Sequence, residues 1–359
     1  MIKRYIMKNL ILLSLAVFIL APVNLAEGVT PRKDLVFGDL GQPKTNPWVI
    51  NRHRFQECVA RALNIEQILA DDENSESKHV SQAESLVSRQ PDALVFNPLT
   101  SPAGASVARL LERNRIPGMT AGRVVVADYE KEYKGQFLIG QMGTNLHDWG
   151  AAMAQAAIDD GHRKIAMIWN PKDVITTQYI WAGAESVINK YPDAKVIIEG
   201  RDRLSRETGI KYAEQYVARY GKGELDAIIV LGATAGLGAQ FALEQAGRSE
   251  VDIITCDIDE QVAQHIRDGK LSFSIGAHWM GGGFAMLHLY DYLHGFPIED
   301  TQPDFSLIAV TAKNVDAYER QFLNGCILTP NEIRNLSRVY NPDADLASFI
   351  ENFSKTWNQ

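Results

Sequence analysis

The chain has 359 residues, with 36 Lys and Arg against 44 Asp and Glu and a formal net charge of -8. An acidic chain with no basic stripe interleaved with aromatics is a poor partner for nucleic acid. Its three cysteines, Cys58, Cys256 and Cys326, stand too far apart in sequence for a metal knuckle, and an odd number rules out a fully paired framework. One disulfide between two of them is compatible with an oxidising compartment, and the sequence leaves the pair open.

The N-terminus carries Lys3, Arg4 and Lys8, then an uncharged apolar stretch from Leu10 to Ala21, and reaches small or polar residues by Ala26. That pattern predicts a cleaved secretory signal peptide over 1–26. The apolar run falls short of the roughly 20 residues a membrane span requires. No cysteine lies near the junction to accept a lipid. Residues 1–26 hold three basic and no acidic residues, so their removal takes the charge from -8 to -11. The expectation is a monomeric periplasmic protein.

From Thr30 onward short apolar runs alternate with helix-length amphipathic stretches. Strands are predicted at 35–40, 65–70, 93–96, 116–120, 137–140, 164–169, 196–199, 227–231, 253–256 and 307–310. Helices are predicted at 49–62, 80–89, 106–114, 149–160, 181–191, 209–220, 237–247, 260–268 and 284–293, with a short one in the tail at 346–357. Such alternation means α/β architecture with parallel sheets flanked by helices. Ten strands are divided into two Rossmann-like lobes joined by a multi-strand hinge. The predicted boundaries are 31–122 plus 272–305 for the first lobe and 123–271 plus 306–340 for the second, with a tail helix over 341–359.

Ligand crevices in open parallel sheets lie beyond the carboxyl ends of the strands, so the residues there are the candidates. Asn46 and Trp48 follow the first strand, Asn97 the third, Arg123 the fourth and Asp257 the ninth. An amide with a flat ring suits hydroxyls and a C–H face, and a guanidinium fork takes two oxygens at once. His278 and Trp279 sit in a loop before the helix at 284–293, and Trp149 and Trp181 open two helices; all four are placed at the cleft. The glycines at 281–283 lack the strand, spacing and Lys of a phosphate loop. No nucleophile elbow or metal-spaced histidine cluster occurs in the sequence. The expectation is therefore a binding protein without catalytic residues, metal or cofactor.

Several segments in order resemble the type I periplasmic binding proteins of the ribose and galactose class, over roughly residues 33–318. They are 46–48 (Asn-Pro-Trp), 90–98, Ile116-Pro117 leading to Arg123, Gly143 with Gly150, 225–229, 239–247 and 266–271. The resemblance implies hinge closure on a small polar solute, with Asn46, Trp48, Asn97, Arg123 and Asp257 at ligand-contacting positions. It implies delivery to the permease of an ABC-type importer. Departures stand at Gly122, Ile180, Gly232-Ala233 and Ala277, where the sugar binders carry Asp, Arg, Asn-Asp and Gln. Each lost buried partner costs a standard monosaccharide about 1–3 kcal/mol, which implies a smaller, modified or cationic solute. The segment 306–314 also resembles the subset of this fold that reports to a membrane sensor histidine kinase, such as trimethylamine-oxide or autoinducer receptors, which is the alternative partner.

Overall fold

The computed structural model describes residues 29–41, 47–172, 174–353 and 357. The predicted signal peptide and Asn46 lie outside the described residues. The first lobe is built from β1 (Leu35–Gly41), α1 (Pro47–Leu63), β2 (Ile65–Asp71), α2 (Glu76–Ser88), β3 (Ala93–Phe96), α3 (Ser101–Asn114), β4 (Gly118–Ala121), α4 (Tyr129–Glu132) and β5 (Leu138–Thr144). The second begins with α5 (Leu146–Asp159), β6 (Lys164–Trp169), α6 (Ile175–Ile188), β7 (Lys195–Arg201) and α7 (Arg206–Arg219). It continues through β8 (Ala227–Val230), α8 (Ala233–Gln245), β9 (Asp252–Ile254), α9 (Glu260–Arg267) and β10 (Ser274–Gly276). The chain then returns to the first lobe as α10 (Gly281–Leu293) and β11 (Asp304–Phe305), and crosses again to β12 (Ile308–Val310) and α11 (Val315–Tyr318). It ends in α12 (Pro330–Asn335), packed on α1, and α13 (Leu346–Phe353), packed on β11.

The first sheet has the order β11-β5-β4-β3-β1-β2 and the second β7-β6-β8-β9, all parallel. Strand order reverses between β1 and β3 in one sheet and between β6 and β8 in the other. At such switch points the flanking helices diverge and open a crevice. β10 pairs antiparallel with β12 and touches the second sheet through an Ile254–Phe273 bridge. Among the described residues the chain thus passes between lobes after β5, after β10 and between β11 and β12.

The sequence placed the first crossing at residue 123, and the structure moves it to Thr144. Gln141, fully buried in β5, accepts hydrogen bonds from the amides of Val125 (3.1 Å) and Val126 (3.4 Å) and donates to the Val126 carbonyl (2.7 Å). The segment 124–137 is thereby tied back to the first sheet, where β5 pairs with β4. The tail differs in the same way. Arg334 donates to the Ala62 carbonyl (3.0 Å), Ser337 to Asp291 (2.5 Å), and Cys326 is bonded to Cys58 of α1, so residues 326–340 cover the first lobe instead of completing the second. Cys256 remains a buried free thiol.

Candidate functional site

Between the lobes lies a cavity of about 210 Å3. The first lobe contributes Trp48, Asn74, Asn97, Gly122 and Arg123. The second contributes Leu146, Trp149, Asn170, Thr176, Ile180, Leu231, Cys256 and Asp257, and His278 comes from the crossing after β10. Trp48 and Asn97 follow the two strands of the first switch point, and Asn170 and Leu231 those of the second. The cavity is therefore the place where the two crevices face each other.

His278 is the junction of an aromatic set that spans the lobes. Its ring centroid is 5.7 Å from that of Trp48 and 4.8 Å from that of Trp149. Burial drives its pKa down to about 3, so it is a neutral ring at physiological pH. Its Nδ1 and the Trp149 Nε1 are buried and have no hydrogen-bond partner among the described residues, which leaves two polar atoms of cavity-lining residues without a partner. Trp149 is held there by a close helix crossing: a Cβ at Gly150 would sit 1.7 Å from the Ile180 carbonyl oxygen, and one at Gly183 1.9 Å from that of His147. Only glycine at both positions lets α5 and α6 approach so far.

Below Trp48 runs a buried ion pair. Arg52 on α1 donates to Asp39 in β1, both side chains almost fully buried, and His53 lies 3.0 Å from the other Asp39 oxygen. The Arg52 guanidinium carbon is 5.8 Å from the centre of the Trp48 ring, which fixes the ring from beneath.

Arg123 is the cation of the cavity. Its Nη1 donates to the carbonyls of Leu99 (2.8 Å) and Pro98 (3.4 Å), and its backbone amide to Asn97 Oδ1 (3.1 Å). Among the described residues no carboxylate lies within ion-pair distance of it. Burial draws its pKa below the usual guanidinium value, and the field of Asp72 offsets part of this. Across the cavity stands Asp257, in left-handed backbone (φ 65) and 3.6 Å from His278 Nε2. Its Oδ1 makes no hydrogen bond among the described residues. Burial, reinforced by Asp259, raises its pKa to about 7.

A carboxyl raised from 3.8 to about 7 is favoured in its protonated form by the fold, and it opposes folding increasingly as pH rises between those values. A solute hydroxyl donating to the carboxylate binds the ionised form. Affinity for such a solute should therefore rise about tenfold from pH 6 to pH 8, following the ionised fraction. Calorimetric titrations at the two pH values, repeated on Asp257→Asn, check this, and the variant should show a flat profile.

Gly122 precedes Arg123 at φ 102, and a Cβ there would lie 2.8 Å from Cζ2 of Trp48 and 3.2 Å from Asn97 Oδ1. The Trp48 ring thus occupies the space in front of residue 122, which accounts for the missing Asp at this position. Gly122→Ala should cost about 1–3 kcal/mol of stability through backbone strain and weaken solute binding by displacing the ring. Denaturant unfolding alongside a binding titration reads both effects.

Of the residues chosen from sequence, Trp48, Asn97, Arg123, Trp149, Asp257 and His278 line this one cavity. Trp181 and Trp279 do not. Trp279 follows His278 in a tight turn, so it points the opposite way, into the first-lobe core between Phe55 and Phe322. On α6 the cavity face carries Thr176 and Ile180, four residues apart. Trp181 is rotated off that face and packs edge-on against Trp169, under Arg201. Asp259 caps α9 through the Val262 amide (2.8 Å). Asn74, Asn170, Thr176 and Leu231 escaped the sequence reading. The last three follow or flank β6 and β8, and the switch-point rule finds them once strand order is known.

The family model for the periplasmic binding protein domain matches residues 40–293, and the chain belongs to that family. It is similar to the xylitol-binding protein of Mycolicibacterium smegmatis, 26% identical over 298 residues that cover 79% of this chain and 82% of the relative. It is also similar to the ribose import binding protein of Bacillus subtilis, 21% identical over 271 residues, 75% of this chain and 85% of the relative. Among solved structures, an ABC transporter solute binding protein from Agrobacterium vitis bound with alpha-D-tagatopyranose superposes with a TM-score of 0.72 at 19% identity. That match covers 80% of this chain and 99% of the other.

Proposed function

We propose that this protein is an exported periplasmic receptor that closes on a small polyhydroxylated solute, a sugar or sugar alcohol, and delivers it to an ABC-type importer. The observation that carries the reading is the pairing of Arg123, without an ion pair among the described residues, with Asp257, whose Oδ1 has no hydrogen-bond partner among them, across a cavity flanked by Trp48 and Trp149. Hydroxyls donate and accept at once, so they serve both charged groups, and the indoles cover the C–H faces between them. Because the two walls belong to different lobes, a solute that touches both favours the closed arrangement.

The relatives that bind xylitol and import ribose support the solute class and the importer. Export by the N-terminal leader, and a binding role without turnover, belong to the same reading. Uptake of labelled xylitol and ribose by cells with and without the gene tests it. Loss of uptake on deletion is the expected result. Unchanged uptake of every solute the purified protein binds would contradict delivery to an importer and transfer the weight to a sensor kinase partner.

A further inference from the structure

We propose that the ligand cavity continues past Arg123 into a second chamber that receives a substituent on the bound solute, so that the preferred ligand is a glycoside or disaccharide and not a free monosaccharide. This rests on the sugar-type reading above. The second chamber measures about 280 Å3, against about 210 Å3 for the first, and Gly122, Arg123, Leu146 and Thr176 form part of both walls. A free monosaccharide held by Asp257 and the indoles leaves this adjoining volume to water.

The added walls have the chemistry of a sugar subsite. Tyr179 lies three residues from Thr176 on α6, so the helix face that closes the first chamber presents a half-exposed ring (48%) to the second. A flat ring with a hydroxyl at its edge suits a second C–H face. Opposite stands Asp304 of β11, whose carboxylate makes no hydrogen bond among the described residues. A Cβ at Gly143 would lie 2.9 Å from its Oδ1, so the glycine in β5 makes room for this acceptor. Burial, with the nearby Asp300 and Asp148, holds the carboxyl above its ordinary range. Between the chambers Arg123 commits Nη1 to Leu99 and Pro98, and its Nε and Nη2 make no hydrogen bond among the described residues. An oxygen bridging two sugar units is an acceptor for that position. The chamber also runs beside the first interlobe crossing, at Thr144 and Asn145.

Isothermal titration of the exported protein with matched pairs tests this: xylose with xylobiose, galactose with lactose, ribose with its methyl furanoside. In at least one pair the substituted member should bind about tenfold more tightly, the effect of one stacked ring or one added hydrogen bond. Tyr179→Ala and Asp304→Asn should each erase that advantage and Tyr179→Phe should keep it, with no loss of melting temperature because both residues are exposed. Free sugars binding as tightly as their substituted partners in every pair would overturn the second chamber and leave the sugar reading standing. Binding of neither member of any pair would overturn the second chamber and confine the reading above to sugar alcohols.

Discussion

Arg123→Ala should weaken solute binding by about 100-fold or more. The guanidinium lines the cavity from the first lobe, and among the described residues it has no carboxylate in contact and no hydrogen bond through Nε or Nη2. A charge-assisted hydrogen bond is worth about 1.5–3 kcal/mol, and two of them about 3 kcal/mol or more, which is over two decades in affinity. The fold should lose less, because the protein contacts of the side chain are the carbonyls of Leu99 and Pro98 and it forms no ion pair among the described residues. Arg123→Lys should recover part of the affinity, since an ammonium keeps the charge and loses the fork. Equal binding by Arg123→Ala and the parent would show that the solute lies elsewhere.

Removing the Cys58–Cys326 bond should lower stability by about 3–5 kcal/mol. The bond closes a separation of 268 residues, and loops of that length lose the most entropy when cross-linked in the unfolded chain. At about 2 °C per kcal/mol for a chain of this size, melting should fall by roughly 6–10 °C in Cys58→Ser/Cys326→Ser. The tail has other anchors: Phe322 packs on Trp279, Phe353 and Trp357, and Ser337 bonds Asp291. If these alone hold it, calorimetry will show no shift. Solute affinity should hold in either case, because no residue of 315–353 lines the cavity.

The α/β alternation was legible because buried parallel strands such as 227–230 are unbroken apolar runs. The hinge strands were not, since β10 and β11 have three and two residues and no periodicity to read. The lobe boundary failed at one residue type: Gln141 in β5 is polar, yet its amide binds the loop before it while the strand itself pairs with β4 in the first sheet. For the site, residues directly after strands were found because chain direction alone places them. Asn74 follows β2, which no ligand argument had singled out. The two misplaced tryptophans share a cause. Side-chain direction within a turn or around a helix changes by about 100° per residue, so Trp181 and Trp279 point away from a cavity that their neighbours Ile180 and His278 enter. Gly122 was visible as a departure, and its reason, the Trp48 ring, is a contact over 74 residues of sequence that only the folded chain reveals.

The most direct test of the account is a tryptophan-fluorescence titration of the protein with sugars, glycosides and sugar alcohols, because Trp48 and Trp149 form two walls of the cavity. The account predicts a saturable change in emission with at least one of them, reduced in Trp149→Phe and shifted to far higher concentration in Arg123→Ala. A saturable change that survives both substitutions intact would contradict the placement of the solute between the lobes.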